Sequence, residues 1–179
     1  MKKYTKKQIE EFLTESNAIE VVFGRDALKD AMKAWDYLSS KRFLTPEVIL
    51  ATHNFLMRNL RPDIAGNWRT CAVFIGGEKK TFESTQRIEG QVERFCLAMS
   101  ITAAEIVSNT MDKERLTKDA HVIFEEIHPF EDGNGRVGRL IYLWHRMNLM
   151  LPIHIIHADW PDEDGEQRSY YKWFKKLDK

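Results

Sequence analysis

The stretch HPFEDGNGRVGR, residues 128–139, lies between two helical patterns and holds the residue types of a phosphate site. Gly133 and Gly135 bracket Asn134 where the second helix is predicted to begin. The loop can therefore adopt positive φ and turn backbone N–H groups toward one point. A helix N-terminus favours an anion at that point, because its first N–H groups are free and its dipole is positive there.

Four side chains of this stretch add the chemistry of a transfer reaction. Arg136 and Arg139 lie one helical turn apart, and both guanidinium groups suit phosphate oxygens. Asp132 is a candidate ligand of Mg²⁺, which prefers carboxylates together with phosphates. His128 is the candidate proton acceptor, because histidine is the side chain best suited to that role near neutral pH. The set predicts phosphoryl or nucleotidyl transfer, since helix capping alone would require one glycine and one polar residue and no paired arginines.

Outward from this stretch the hydrophobic spacing is mostly helical. Apolar residues recur every three or four positions over residues 5–16, 26–38, 45–60, 84–102, 114–127, 134–147 and 167–177. Thr45 before Pro46 is typical of a helix start, Asp26 is a candidate N-cap, and Tyr170 is expected to pack in the last helix. Residues 71–75 and 78–82 are strand candidates, and the Gly76-Gly77 pair between them predicts a β-hairpin. We expect one all-α domain over residues 1–179, interrupted by a single hairpin.

The charge balance limits the classes of partner. The 179 residues include 27 Lys+Arg and 27 Asp+Glu, so the formal net charge is zero. Nucleic acid or an anionic membrane surface requires an excess of basic residues, so we expect no nucleic-acid and no membrane partner. No apolar run is long enough for a membrane span or a signal peptide, and Cys71 and Cys96 are too few for a disulfide framework. We therefore expect a cytoplasmic protein.

Residues 133–138 also match G-x-G-x-x-G, the dinucleotide-binding pattern, with Asp159 about twenty residues further on. The surrounding sequence argues against this assignment. Residues 122–127 contain Glu125 and Glu126 where a central parallel strand would be continuously apolar. Little before them has the pattern of a strand, so no parallel sheet is predicted to carry a doubly wound fold.

Residues 128–139 resemble the signature of the Fic family, HPFxDGNGRxxR, and match it at every defined position. The resemblance covers residues 45–150 best and extends to the chain length, the helical pattern and the hairpin. It implies the Fic fold and the activity of a protein adenylyltransferase, which moves AMP from ATP to a Ser, Thr or Tyr hydroxyl of a target protein. The implied partners are ATP, Mg²⁺ and a protein substrate that presents a hydroxyl group, and homo-oligomerisation stays open.

The resemblance also implies a role for each residue of the signature. His128 would deprotonate the target hydroxyl, and Asp132 would bind Mg²⁺. Phe130 would anchor the loop in the core. The phosphates of ATP would lie in an anion hole and on two arginines, with Gly133, Asn134 and Gly135 around the α- and β-phosphates, Arg136 on the β-phosphate and Arg139 on the γ-phosphate.

Two features bear on the reaction within the family. The hairpin at residues 71–82 would be the flap that pairs with a target segment through Val73, Phe74, Ile75 and Thr81. Gly135 stands where the Doc-type kinases of the family carry lysine, which favours AMP transfer. Phosphoryl transfer, phosphocholine transfer and a nucleotide-binding module without turnover stay open as alternatives.

Near the N-terminus, residues 16–20 (SNAIE) resemble the inhibitory motif of the family, [S/T]xxxE[G/N], within the segment 1–23. The resemblance assigns the motif positions to Ser16 and Glu20. It implies that Glu20 pairs with Arg139 and blocks the γ-phosphate, because a carboxylate and a phosphate compete for the same guanidinium. Val21 departs from the pattern, which has Gly or Asn at that position. A plain helix cap is the alternative.

Overall fold

The computed structural model describes residues 4–75, 78–80, 85–105, 112–158, 170 and 173–174. These residues form six helices and two short strands: α1 (Lys6–Ile19), α2 (Arg25–Ser39), α3 (Pro46–Met57), β1 (Val73–Ile75), β2 (Glu78–Lys80), α4 (Thr85–Glu105), α5 (Lys113–Ile127) and α6 (Asn134–Asn148). The two strands pair antiparallel, with Phe74 opposite Lys79. The predicted all-α architecture is confirmed. The predicted Gly76-Gly77 turn, Thr81 and most of the helix predicted at residues 167–177 lie outside the described residues.

Local capping chemistry begins several helices. Thr5 Oγ1 accepts a hydrogen bond from Gln8 N at 3.3 Å, and Thr5 N donates to Gln8 Oε1 at 2.9 Å, which forms a capping box at the start of α1. Thr45 caps α3 as predicted. The predicted N-cap at Asp26 is wrong, because α2 begins after Gly24, whose φ of 109° only glycine adopts readily. Asp26 lies instead in the first turn, where its charge complements the helix dipole.

Helix α6 is the centre of the fold. Its residues 136–147 are all buried, and it contacts α1, α2, α3 and α5. A helix that is buried on every face must lie in the core, so the N-terminal end of α6 meets several other elements at once. Among the described residues, no helix is both long and apolar enough to cross a membrane.

Helix α1 continues to Ile19, three residues beyond the predicted end, so Ser16 lies in its last turns and Glu20 is its C-cap. Two backbone hydrogen bonds close the turn that follows the helix, one from Val21 N to Ala18 O and one from Val22 N to Asn17 O. This pair of bonds is the Schellman motif, which requires a left-handed residue directly after the C-cap. That residue is Val21, with φ of 58°.

Candidate active site

The loop between α5 and α6 is closed by its own side chains. Phe130 is fully buried and its ring stacks on His53 with centroids 3.8 Å apart. Phe130 N donates to Asn134 Oδ1 at 2.8 Å, and Asn134 Nδ2 donates to Phe130 O at 2.9 Å. The Asn134 amide is therefore used to hold the loop. Gly133 precedes α6 with φ of 82°, and the first N–H groups of α6 have no partner within the helix.

His128 ends α5 in the left-handed conformation, with φ of 48°. Its Nδ1 lies 3.2 Å from Glu125 O, and because a carbonyl can only accept, Nδ1 carries the proton. Nε2 then holds the lone pair, as a general base requires.

Beside this ring lies a buried carboxyl group, which the sequence analysis did not select. Glu125 Oε2 is 3.9 Å from His128 Nδ1, and Glu125 is 8% exposed. Burial raises the pKa of Glu125 to about 8, against the lowering effect of Arg139. The proton balance beside His128 therefore depends on a carboxyl group that titrates near neutral pH.

Arg69 is a second residue that the sequence analysis missed, and it clamps the loop from the segment before β1. Its backbone N donates to Pro129 O at 2.9 Å, and its Nε donates to His128 O at 2.9 Å. Its Nη1 donates to Cys71 O at 3.0 Å. Arg69 is 1% exposed, so these bonds are shielded from water and fix the main chain of His128.

His53 holds the other end of the loop. Gly66 N donates to His53 Nδ1 at 2.9 Å, so the proton lies on Nε2, which is 3.0 Å from Asp132 O. Burial lowers the pKa of His53 to about 4, and the ring therefore stays neutral. The neutral ring fixes the main chain at Asp132, whose Oδ1 accepts from Gly133 N at 2.6 Å.

The exposure and charge of Asp132 suit a divalent cation. Its side chain is 48% exposed, and Oδ1 lies 3.7 Å from Nη2 of Arg136. Across the described residues, no cluster of three His, Cys, Asp or Glu side chains that could hold a metal occurs. Asp132 therefore fits a site in which one carboxylate and ligand oxygens share a Mg²⁺ ion, and not a site built of protein ligands alone.

Arg136 is 3% exposed and weakly partnered. Its Nη2 lies 3.1 Å from Met57 Sδ, a poor acceptor, and its Nε has no hydrogen-bond partner. Burial lowers its pKa from the ordinary arginine value. A buried guanidinium with so little compensation has spare capacity for an anion.

Arg139, by contrast, is fully buried and fully engaged. Its Nε donates to Ser16 Oγ at 2.9 Å, and its Nη2 donates to Ser16 O at 3.0 Å and to Glu20 Oε1 at 2.7 Å. Its Nη1 donates to Tyr170 OH at 3.1 Å. Burial opposes the charge of Arg139, yet Tyr170, Glu20 and Glu125 together hold its pKa above the ordinary value.

The structure thus brings Ser16 and Glu20 into contact with Arg139, which lies more than one hundred residues further along the chain. It also gives a physical reason for the Gly or Asn of the family pattern at the position of Val21. The family pattern has Gly or Asn at this position, and these are the residues that adopt left-handed φ most readily. Of the predicted flap residues, the side chain of Val73 is buried, and Thr81 lies outside the described residues.

Comparisons with known proteins point to one family. The model of the Fic/DOC family matches residues 43–145. The protein adenylyltransferase Fic of Drosophila mojavensis is 30% identical over 142 residues, which cover 78% of this chain and 25% of that protein. The chain therefore spans about a quarter of the length of that relative.

Solved structures show the same fold at lower identity. A Fic family protein from Desulfovibrio desulfuricans G20 is 23% identical with a TM-score of 0.61, over 80% of this chain and 48% of that chain. A Fic domain containing signaling protein from Bacteroides thetaiotaomicron VPI-5482 is 20% identical with a TM-score of 0.70, over 85% of this chain and 67% of that one. Since the family model matches more than half of the chain and includes all of residues 128–139, the chain belongs to the Fic/DOC family.

Proposed function

We propose that the protein is a protein adenylyltransferase that moves AMP from ATP to a hydroxyl group of a target protein. The observation that carries the proposal is the convergence at the first turn of α6. There the N-terminus of a buried helix, two buried guanidinium groups and the histidine of the preceding loop lie together. This is the set of groups that a transferred phosphoryl centre requires: positive potential, fixed N–H donors and a base.

In the proposed reaction, His128 accepts the proton of the target hydroxyl on Nε2. The oxygen of that hydroxyl forms a bond to the α-phosphorus of ATP, while the bond from that phosphorus to the pyrophosphate oxygen breaks. The hydrogen bond from His128 Nδ1 to Glu125 O supports this role, because it keeps the proton away from Nε2. Arg69 supports it as well, because it fixes the main chain of His128. The rate enhancement of the transfer then comes from positioning and electrostatics.

The phosphates are assigned to the start of α6. Gly133, Asn134 and Gly135 would cradle the α- and β-phosphates with backbone N–H groups, and Arg136 and Arg139 would contact the β- and γ-phosphates. The weak partners of Arg136 support its assignment. Mg²⁺ held by Asp132 would neutralise charge on the phosphate oxygens.

We further propose that Glu20 inhibits the enzyme. Its carboxylate contacts Arg139 Nη2, the atom that the γ-phosphate would need, and Ser16 holds two other N–H groups of the same guanidinium. ATP must displace Glu20 to bind fully, because one N–H donor cannot serve two anions.

The β1–β2 pair is proposed as the flap that holds the target. A target segment would add as a strand beside Val73, Phe74, Ile75 and Thr81, and main-chain hydrogen bonds would hold its hydroxyl near His128. The hydrogen bond from Arg69 Nη1 to Cys71 O supports this arrangement, since the same arginine that clamps the loop also fixes the main chain two residues before β1.

The test uses Glu20→Gly protein incubated with ATP labelled at the α-phosphate, Mg²⁺ and cell lysate. Transfer of label together with an AMP adduct by mass spectrometry is expected, and His128→Ala in the same background should abolish it. His157→Ala is the matched control, because that histidine is 59% exposed and lies outside the loop. Equal labelling with and without His128 would refute the assignment. A phosphate or phosphocholine adduct would assign a different transfer, and ATP binding without any adduct would indicate a silent module.

A further inference from the structure

A cavity of about 530 Å³ lies between α4, α5 and the C-terminal half of α6. Most of its wall is hydrocarbon, including Phe95, Met99, Leu116 and Ile123. Its volume falls in the range of cavities that hold small organic ligands. No residue of the 128–139 stretch lines it, so it is separate from the candidate active site.

The cavity wall carries polar groups without partners. Within the described residues, seven buried side-chain atoms make no hydrogen bond, and they belong to six residues. Four of those residues, Arg69, His121, Glu125 and Arg136, lie in or against the 128–139 stretch. The other two are Gln91 and His145, and both line this cavity. Buried polar groups in folded proteins are almost always paired, so two orphans on one cavity wall require an explanation.

His145 indicates which hydrogen-bonding groups a ligand of this cavity must have. It is 3% exposed, and neither of its ring nitrogens has a partner. Burial lowers its pKa to about 4, so the ring is neutral, with one nitrogen that donates and one that accepts. The unpaired Oε1 of Gln91 adds a further acceptor. A matching ligand must therefore both donate and accept hydrogen bonds.

We propose that this cavity, the α4–α6 pocket, is a second binding site for an uncharged, largely apolar small molecule whose head group both donates and accepts hydrogen bonds, as a carboxamide does. The apolar wall takes the body of the molecule, and Gln91 and His145 take its head. Arg94, Asp119 and Glu126 also line the cavity but are exposed to solvent, whereas His145 is buried and neutral, so a charged head group beside His145 is disfavoured. A hydrocarbon side chain of a partner protein does not fit either, since it would leave both polar groups unpaired.

The test uses naphthalene-2-carboxamide as the probe and methyl naphthalene-2-carboxylate as its matched control. The ester keeps the apolar body and the carbonyl group but lacks the N–H donors. Binding to the full chain with ¹⁵N-labelled histidine is followed by ligand-observed and protein-observed NMR. The carboxamide is expected to bind saturably with a dissociation constant at or below about 1 mM, about fivefold tighter than the ester, and to shift the ring nitrogens of His145.

Three variants locate the binding. Ala98→Trp adds bulk at an exposed residue of the cavity wall and should abolish binding, whereas Leu97→Trp, one residue away and outside the wall, should not. His145→Phe should remove the preference for the carboxamide over the ester. If His145→Phe unfolds the protein, the comparison of Ala98→Trp with Leu97→Trp still tests the proposal. Absence of saturable binding, unmoved His145 signals, or equal effects of the two tryptophans would overturn the proposal.

Discussion

Replacing Glu20 by glutamine should increase the affinity of the protein for ATP. The change keeps the size of the side chain and removes the charge that faces Arg139 Nη2 at 2.7 Å. Arg139 keeps its hydrogen bonds to Ser16 Oγ, Ser16 O and Tyr170 OH, so each nitrogen of the guanidinium still has a partner although its carboxylate contact becomes neutral. The fold should therefore tolerate the substitution, and the effect should appear in ligand binding.

The size of the gain in ATP affinity follows from the hydrogen bond between Glu20 and Arg139, which the γ-phosphate must replace. A hydrogen bond between charged groups contributes about 1.5 to 3 kcal/mol, and a neutral one about 1 kcal/mol. The Glu20 side chain is 39% exposed, so water screens the pair and places it near the lower end. The difference between glutamate and glutamine is then about 0.5 kcal/mol, which corresponds to about twofold tighter binding of ATP.

Calorimetric titration of ATP measures this difference directly, in a His128→Ala background that prevents turnover. Glu11→Gln is the matched control, because it removes the same charge from an exposed position of the same helix. ADP should gain less than ATP, because it lacks the phosphate assigned to Arg139. The reasoning fails if Glu20→Gln and Glu11→Gln bind ATP equally, or if ADP gains as much as ATP.

Other positions give independent tests. Val21→Gly should raise the free energy of unfolding by about 1 kcal/mol in chemical denaturation, because φ of 58° strains a β-branched residue. Val22→Gly is the control, and equal effects of the two substitutions would contradict the Schellman geometry. The pKa of Glu125 is raised from 4.5 to about 8, so its favourable contribution is complete below pH 4.5 and is lost as pH rises to 8. The stability of Glu125→Gln relative to the wild type, measured by thermal melts, should therefore increase by up to a few kcal/mol between pH 5 and pH 8. A difference that stays constant with pH would disprove the assignment. Arg69→Lys should lower kcat about tenfold or more with little change in ATP affinity, because lysine lacks the planar fork whose Nε and Nη1 reach the carbonyls of His128 and Cys71. A change confined to KM would count against a positioning role.

The parts of the structure that the sequence predicts well are those governed by local rules. The cap at Thr45, the helical spacing and the glycine loop all depend on residues a few positions apart. The contact between Glu20 and Arg139 was predicted across the fold, but from family resemblance and not from spacing. The end of α1 was predicted three residues too early, because a Schellman motif with valine at its left-handed position lacks the usual glycine signal.

The residues that sequence reasoning missed act on the main chain of the motif from distant elements. His53 contacts Asp132 O, and Arg69 contacts His128 O and Pro129 O. A backbone carbonyl has the same chemistry at every residue, so no pattern of side chains marks its partner. Tyr170 was predicted to pack in a helix, and its ring is indeed buried, but its hydroxyl group also holds Arg139.

Four arginines are buried in the part of the chain that the structure describes, and they differ in how their charge is compensated. Arg146 contacts the Glu114 carboxylate, and Arg139 contacts Glu20. Arg69 donates to two carbonyl groups. Arg136 has only a sulfur at 3.1 Å and a half-exposed carboxylate at 3.7 Å, and burial lowers its pKa. Because an uncompensated buried charge costs free energy in the protein alone, Arg136 gains most from an incoming anion. An anion at the first turn of α6 therefore stabilises the fold as well as the complex, and inorganic pyrophosphate alone should raise the melting temperature.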